Sequence, residues 1–439
     1  MLTIRVNTMI DQATVEQIRN AANIVDVVAD YVSLHRSGAN YKGLCPFHNE
    51  RTPSFIVSPA KNYCHCFGCG KGGDPIGFLK ELNNYTYREA LVHLANKFHI
   101  EIKEVDLSSE EIAERQKRQS FLTLCDFVNK HYQQQIAVES NNATAMARLN
   151  ALGLHEAVVK LFGLGYADST PDSLVDMISK AGFSISNAND LGLVAPLANG
   201  MGDVINKAIV LPVYNKTGKV TGFAWHSIEA DPTSFGTTCR SAIFNPQESV
   251  FGLFQANHAI SKAKSCFIVD NPFDVMAMHQ NGLTNTISPI GEAIDRYIIN
   301  DLEKSIKDDS ATLITAHRSP QQLATMFRIA DQLIAAGINV FAVNTPQPES
   351  SITATLSGCS ASAWTQYIND NKQDIVTWKA TILLNDAANN NTMRIKAIRS
   401  TLRTIKAMRD ATCQQIYLSV LSKLTRYPVE TLSKEMNNL

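Results

Sequence analysis

Two pairs of soft metal ligands, each with two residues between its members, stand close together near the start of this sequence. They are Cys45-Pro-Phe-His48 and, after a 17-residue gap, Cys66-Phe-Gly-Cys69. A short turn points both side chains of a pair at one ion, and the intervening segment folds back to bring in the second pair. Because the protein supplies all four ligands, no position stays open for a substrate. The spacing therefore indicates a structural zinc site rather than a hydrolytic one.

The alternative interpretations of these cysteines are disulfides or buried free thiols. The chain has nine cysteines, an odd number, and its first residues carry no apolar run with a cleavage site, which is typical of a reduced cytoplasmic protein. Cys64 stands two residues before Cys66 and is an alternative third ligand. Since Cys66 gives the two-residue gap to Cys69, we assign Cys66 as the ligand and Cys64 as a bystander.

The segment around these ligands is locally basic and rich in aromatic residues. Six basic residues and two acidic ones between positions 36 and 80 give a local charge of +4, in a chain whose net charge is −1. Basic side chains follow phosphates, and exposed rings stack on bases. Most of the phenylalanines (Phe47, Phe55, Phe67, Phe78) are instead expected to form a small core over the metal. The predicted nucleic-acid contacts are Arg36, Tyr41, Lys42, Arg51, Lys61 and Lys71.

Length and composition set the remaining limits. With 439 residues, two to four domains are expected. No stretch approaches 18 consecutive apolar residues, so no membrane span is predicted. The first module runs from about Ile10 to Ile102, between a helix capped by Asp11 and a second helix, Tyr87–Phe98. Lys103–Arg118 is charged and reads as a linker or an exposed helix.

Strands and helices then alternate. Ala208–Tyr214 and Val220–Trp225 read as paired strands, and from Ser265 to Val343 the order is strand, helix, strand, helix, strand, helix, strand. Such alternation predicts a parallel sheet whose ligands bind at the carboxyl ends of the strands. Those ends lie at Asp270, Pro289–Ala293, His317–Ser319 and Asn344–Pro348.

The last segment is predicted to be helical. Ser350–Ser362, rich in serine and threonine, is predicted to be a loop, and residues 363–439 to be helices with a break at Asn389–Asn391. Within them, Met393–Met408 carries five basic residues and no acidic one. Its basic face is either simply solvated or contacts nucleic acid or a partner.

Several motifs together resemble the bacterial (DnaG-type) DNA primases. They include Asn40-Tyr41-Lys42-Gly43-Leu44-Cys45-Pro46-Phe47-His48, Thr52-Pro53-Ser54-Phe55 and Cys66-Phe67-Gly68-Cys69-Gly70-Lys71-Gly72-Gly73-Asp74. The resemblance continues through Leu152–Tyr166 and Val210–Phe223. It implies a multidomain α/β fold: a zinc-ribbon-type N-terminal domain, an α/β primase core with a Toprim-like parallel sheet, and a C-terminal helical domain. The expected limits are 1–103, 104–118 (linker), 119–262, 263–348 (Toprim-like) and 349–439.

The resemblance also implies an activity and partners. In the family, the zinc domain binds single-stranded DNA template, and the core joins ribonucleotides into a short RNA primer. The Toprim chemistry uses a cluster of carboxylates that holds two magnesium ions. Full-length members usually extend further at the C-terminus, where they contact the replicative helicase. Nothing in the sequence resembles a groove-reading helix, so a transcription regulator is not favoured.

The sequence departs from the family pattern at the expected catalytic positions. Asp270-Asn271-Pro272-Phe273-Asp274 keeps two acids, but the family's Asp-Gly-Asp reads His317-Arg318-Ser319 and its Asp-Pro-Asp reads Ser350-Ser351-Ile352. Basic residues of the family are replaced at Asn206, Ala208, His226 and Pro246-Gln247. His317 and Arg318 together could also bind phosphate.

Three acids remain as candidate catalytic residues, namely Asp270, Asp274 and Glu292. One hypothesis is that template binding is kept while primer synthesis is weakened or lost. The alternative is an active divergent primase that uses these three carboxylates with magnesium. The plainer interpretation of Asp270 and Asp274 is surface or helix-capping acids.

Overall fold

The chain forms two compact units in a computed structural model, Met1–Lys117 and Arg118–Leu439. The structure describes residues 8–168, 173–198, 200–230, 234–306, 310–315, 319–346, 352–356 and 359–439. The division between the units lies inside one long helix, Ser109–Ile136. The predicted limits at 262/263 and 348/349 fall within the second unit and stay predictions.

The first unit places a five-stranded antiparallel sheet among four helices. The sheet order is β2-β3-β4-β5-β6, and β1 pairs with β7. The elements are β1 (Thr8–Ile10), α1 (Gln12–Ala21), α2 (Ile24–Ala29), β2 (His35–Ser37), β3 (Asn40–Gly43), β4 (Phe55–Ser58), β5 (Tyr63–Cys66), β6 (Gly72–Gly73), α3 (Pro75–Asn83), α4 (Tyr87–Lys97) and β7 (Glu104–Asp106).

The ends of these helices follow from local capping. The Asp11 carboxylate accepts a hydrogen bond from the Thr14 amide at the start of α1, as predicted. Thr86 and Glu89 form a reciprocal capping box at the start of α4. The charged segment after residue 103 was predicted to be a linker or helix, and it also contains a strand, because β7 pairs in register with β1.

The second unit begins with helices packed on a four-stranded antiparallel sheet, ordered β13-β12-β11-β8. The predicted strand pair is confirmed as β11 and β12. The elements are α5 (Ser109–Ile136), α6 (Glu139–Ala151), α7 (Glu156–Phe162), β8 (Gly165–Ala167), α8 (Ser173–Lys180), α9 (Ile185–Asp190), β9 (Val194–Leu197), β10 (Gly200–Asp203), β11 (Ala208–Tyr214), β12 (Val220–Ser227) and β13 (Gly236–Thr237).

A six-stranded sheet follows, in the order β14-β16-β15-β17-β18-β19, in which the edge strand β19 (Gln373–Asp374) comes from the C-terminal segment. Its four central strands are parallel, as the alternating pattern predicted. The elements are β14 (Val250–Phe251), α10 (Leu253–Ala263), β15 (Cys266–Val269), α11 (Pro272–Gln280), β16 (Thr286–Pro289), α12 (Arg296–Ser305), β17 (Ser310–Thr315), α13 (Pro320–Ala335) and β18 (Asn339–Asn344).

Helices complete the second unit. The predicted loop at Ser350–Ser362 was wrong in part, because Ile352–Leu356 is a short helix with both end residues buried. Polar composition misled the sequence prediction, since two apolar anchors suffice to seat one helical turn. The elements are α14 (Ile352–Leu356), α15 (Ala361–Asn371), β19 (Gln373–Asp374), α16 (Ile375–Ala387), α17 (Asn391–Lys406), α18 (Ala411–Thr425) and α19 (Val429–Asn438).

None of the helices in the described ranges has the length and apolar character needed to cross a membrane.

Candidate zinc centre and sheet-edge cleft

The four predicted zinc ligands converge on one point in the first unit. Cys45 and His48 follow β3, Cys66 ends β5, and Cys69 lies in the next turn. Their donor atoms all lie within 4.8 Å of one another. The Sγ atoms of Cys45 and Cys69 are 3.8 Å apart, and Cys66 Sγ lies 3.7 Å from His48 Nδ1. A tetrahedron with Zn–S bonds of about 2.3 Å separates its sulfur atoms by about 3.8 Å, so this donor set fits a zinc ion.

Backbone amides donate hydrogen bonds to the sulfur atoms of two ligands, Cys45 and Cys66, which favours their thiolate forms. The amides of Gly68 and Cys69 donate to Cys66 Sγ at 3.3 and 3.4 Å, and the Phe47 amide donates to Cys45 Sγ at 3.4 Å. Burial raises the pKa of Cys45 to about 12. Burial also opposes ionisation of Cys66, but hydrogen bonds from Ser54 and the two amides bring its pKa below the ordinary thiol value. Cys66 is therefore the readier thiolate.

Cys64 is not one of the converging donors. Its side chain is fully buried on the same core-facing side of β5 as Cys66, but its thiol donates to the carbonyl oxygen of Gly73 at 3.3 Å. Burial raises the pKa of Cys64 to about 11, which keeps it protonated. Its role in the structure is packing.

Glu50 contacts the ligand residues and was not predicted from the sequence as part of the site. Its carboxylate accepts the amides of Cys45 and Ser54 at 2.7 and 2.9 Å, and it lies 3.4 Å from Nε2 of His48. A carboxylate behind a ligating histidine fixes the ring and strengthens it as a ligand. The available signal was an acid two residues after His48.

Gly68 lets the two ligand turns approach each other. A Cβ built on Gly68 would lie 2.8 Å from His48 Nε2. Any larger residue there would displace the histidine ring.

The predicted nucleic-acid residues occupy different faces of the first unit. Lys42 lies in a row that crosses the sheet with His35, Ile56 and His65. Tyr41 lies in the adjacent row with the buried Val57 and Cys64, and it packs against the core.

The other basic residues surround this sheet. Arg36 is exposed at the β2 edge, and Arg51 and Lys61 are exposed in loops. Lys71 pairs with Glu81 at 3.2 Å and lies 5.6 Å from the Phe47 ring centroid.

One aromatic residue was misplaced by the core prediction. Phe55 and Phe78 are fully buried and Phe47 contacts both, as expected. Phe67, however, is 72% exposed, because it points outward from the ligand turn. Its ring packs edge-on against His65, with centroids 4.9 Å apart. We call the surface formed by His35, Lys42, Ile56, Tyr63, His65 and Phe67 the outer sheet face.

In the second unit, a cleft of about 320 Å³ opens at the carboxyl ends of β15 and β16. Asp270 and Glu292 both line it, together with amide side chains from the start of α13, including Gln321 and Gln322. This is the sheet edge at which ligands were predicted to bind. The described residues that line the cleft include no lysine or arginine.

The three candidate catalytic carboxylates do not form one cluster. Asp274 is 1% exposed and accepts a hydrogen bond from Asn271 Nδ2 at 2.7 Å, while Asn271 caps α11. The exposed Glu292 forms an ion pair with Arg328. Within the described ranges, Cys45, His48, Cys66 and Cys69 form the only group of three or more His, Cys, Asp or Glu side chains placed so that they could hold a metal ion. Asp270, Asp274 and Glu292 therefore do not form a three-carboxylate metal group among the described residues.

The structure describes only some of the other positions at which the sequence departs from the family pattern. His317, Arg318, Ser350 and Ser351 lie outside the described residues. Ser319 caps α13 by accepting the Gln322 amide. Buried His226 donates from Nδ1 to the Ser234 carbonyl oxygen at 3.0 Å and accepts from the Arg148 guanidinium.

Comparison with known proteins finds a family model that matches each of the two units. A CHC2 zinc finger model matches residues 10–110, and a model of the DNA primase catalytic core, N-terminal domain, matches residues 131–257. Together they cover just over half of the chain. A DNA primase of Synechococcus elongatus is 28% identical over 305 residues, covering 68% of this chain and 44% of that protein. The chain spans about half the length of the curated relatives it matches first.

Solved structures show the same fold. The Aquifex aeolicus primase, comprising zinc-binding and RNA polymerase domains, has a TM-score of 0.56 at 24% identity, over 95% of this chain and 98% of that one. A DnaG primase catalytic domain bound to ssDNA has a TM-score of 0.58 at 16% identity, over 70% of this chain and 99% of that one. The two family models, the curated relatives and the fold agree: the chain belongs to the bacterial DnaG-type primase family.

Proposed function

We propose that this protein binds single-stranded DNA template through the outer sheet face and that RNA-primer synthesis at the sheet-edge cleft is weakened or lost. The observation that carries the second part is the dispersal of the three carboxylates. Asp274 is buried beside Asn271, and Glu292 is paired with Arg328. The sequence places no carboxylate at positions 317–319, where the family has two.

Template binding is supported by the chemistry of the outer sheet face. Exposed Phe67 and Tyr63 offer rings for base stacking, and Lys42 offers charge for phosphates. Arg51 and Lys61, exposed in the surrounding loops, add further charge. Zinc would hold the turn that presents Phe67, through Cys66 and Cys69 on either side of it. The ion supplies structure only, since the four protein ligands leave no open position.

The alternative function is an active divergent primase. One observation favours it: Asp270 and Glu292 line the same cleft. If Arg328 released Glu292, two carboxylates would face one space. Magnesium would then be the ion they hold and ribonucleotides the substrate, because hard cations prefer oxygen ligands.

Anisotropy of a labelled single-stranded oligonucleotide tests template binding. Phe67→Ala should weaken binding about tenfold, since stacking on an aromatic ring contributes about 1–3 kcal/mol per base. Tyr87→Ala is the matched control, because Tyr87 is exposed but belongs to helix α4, where its hydroxyl accepts a hydrogen bond from Arg19 of α1. Equal effects of the two variants, with zinc content unchanged, would contradict the proposed face.

A magnesium titration tests the cleft. Calorimetry of the zinc-loaded protein should show no stoichiometric magnesium binding. Tight binding that Asp270→Ala abolishes, while Asp295→Ala leaves it unchanged, would favour the active primase instead. Asp295 is a suitable control because it caps α12 and does not line the cleft.

A further inference from the structure

The C-terminal helices are strongly basic although the whole chain is almost neutral. Residues 375–439 contain ten basic and four acidic residues, a net charge of +6. The chain as a whole has a net charge of −1, so the preceding 374 residues sum to −7. Neither the zinc centre nor the sheet-edge cleft explains this concentration of charge.

Four of these basic residues form a line along α17. Lys396, Arg399, Arg403 and Lys406 follow one another at intervals of three, four and three residues, and all are exposed. This spacing keeps them on one face of a helix, over about 15 Å of its axis. The opposite face, which includes Ile398, Leu402 and Ile405, is buried in the core. We call the four residues the basic stripe.

Most of the basic stripe lacks a neutralising partner. Arg399 pairs with Glu435 at 2.6 Å. Among the described residues, no carboxylate lies within ion-pair distance of Lys396, Arg403 or Lys406. Helix α17 itself contains no acidic residue. Like charges one turn apart on a helix repel each other, so the stripe destabilises α17 in the free protein.

A second cation lies close behind the stripe. Lys379 is 2% exposed, and its ammonium group donates to Thr404 Oγ1 at 2.8 Å on the buried side of α17. Burial lowers the pKa of Lys379, and the charge of Arg403 lowers it further, while Asp331 opposes both. A polyanion bound along the stripe would relieve these repulsions.

We propose that the basic stripe binds the phosphate backbone of a nucleic-acid strand, at a second contact separate from the outer sheet face. One strand of a duplex places a phosphate about every 3.4 Å along the axis, so about four phosphates match the length of the stripe. Four flexible cations without an aromatic anchor fit a repeating charge better than a folded acidic protein, whose interfaces centre on buried aromatic residues. The inference extends the proposed DNA binding but rests on different residues.

The salt dependence of binding by the full zinc-loaded chain tests this inference. The variant Lys396→Gln, Arg403→Gln, Lys406→Gln removes three charges and keeps strong helix formers. Binding of labelled oligothymidylate and of a labelled duplex is followed by anisotropy over a salt series. The slope of log affinity against log salt is negative, and its magnitude should fall by about 2 for the single strand and about 3 for the duplex. The control variant Lys262→Gln, Lys304→Gln, Lys423→Gln removes the same charge from exposed positions outside the stripe and should leave both slopes unchanged.

The same series in an outer-face variant (Lys42→Ala, Phe67→Ala) separates the two proposals. A stripe effect that persists there supports the stripe, even if the outer-face changes themselves prove silent and contradict template binding by that face. An unchanged slope for both probes, an equal loss in the control variant, or no binding of either probe by the wild-type chain would overturn the inference. If the triple variant does not fold, the single variants Lys396→Gln and Lys406→Gln test the inference. Each should reduce the magnitude of the single-strand slope by about 0.7, and an unchanged slope in both would overturn the inference.

Discussion

The zinc centre and the sheet-edge cleft both bring together potential metal ligands that follow neighbouring strands. Only at the zinc centre do those ligands converge on one point. In the first unit, four ligands from two turns meet within 4.8 Å of one another, with Glu50 behind His48. In the second unit, three acids follow two neighbouring parallel strands, but Asp274 is buried beside Asn271 and Glu292 is paired with Arg328. Residues that follow adjacent strands are thus close enough for a metal site, but they form one only when no other partner holds them.

The largest expected effect concerns the zinc centre. Cys66→Ala should abolish zinc binding and unfold the first unit, because a structural zinc contributes about 10–16 kcal/mol of apparent binding free energy to folding. Zinc content by mass spectrometry of the native protein, together with proteolysis of residues 8–117, measures this.

Cys64→Ala is the matched control for that experiment. It removes a buried thiol two residues away and should keep one zinc per chain, at a stability cost of about 1–2 kcal/mol. Loss of zinc in Cys64→Ala, with zinc retained in Cys66→Ala, would reverse the ligand assignment.

The second unit should depend on buried side chains rather than on a metal. Asp331→Asn leaves the Lys379 ammonium without its carboxylate partner and should lower the free energy of unfolding by about 3 kcal/mol. Lys379→Met should cost less, because Asp331 is partly exposed and can be hydrated. Urea unfolding of the two variants should rank them in this order; the reverse ranking would mean that the pair is not a buried charge site.

The stability of the second unit should also fall in mild acid. Burial lowers the pKa of His279, whose Nε2 donates to the Thr286 carbonyl oxygen at 3.0 Å. Because the folded pKa lies below the unfolded one, the contribution is complete above about pH 6.5 and is lost as the pH falls toward the folded pKa. The slope contributed by this group reaches at most about 1.4 kcal/mol per pH unit. His279→Gln should flatten it in urea unfolding between pH 5 and 7.

The smallest effect is expected at Glu292. Glu292→Gln breaks an exposed ion pair with Arg328 and should change the free energy of unfolding by less than about 0.5 kcal/mol. Arg328→Gln frees the Glu292 carboxylate and gives the complementary variant. If Arg328→Gln creates stoichiometric magnesium binding, the cleft is a masked metal site, and the contrast between the two units weakens.

Much of the architecture could be predicted from the sequence because its signals are local. Ligand spacing predicted the zinc centre, and the alternation of strands and helices predicted the parallel sheet and the edge at which the cleft lies. The acids at 270 and 292 were placed at that edge correctly.

The failures come from side-chain orientations and contacts that residue type alone does not specify. The burial of Asp274 depends on Asn271 turning inward as a cap, and the pairing of Glu292 depends on Arg328, 36 residues further along the chain. Phe67 resembles its buried neighbours in sequence, but the ligand turn directs it outward. The pattern of apolar and polar residues does not contain this information.

The most direct test of the central claim is primer synthesis on single-stranded DNA, with labelled ribonucleotides and either magnesium or manganese. The zinc-loaded wild-type chain is compared with the double variant Asp270→Ala, Asp274→Ala under conditions in which both bind the template. We predict no product from the wild type above that of the double variant. Primers made by the wild type and absent from the double variant would show a working catalytic site and contradict the account.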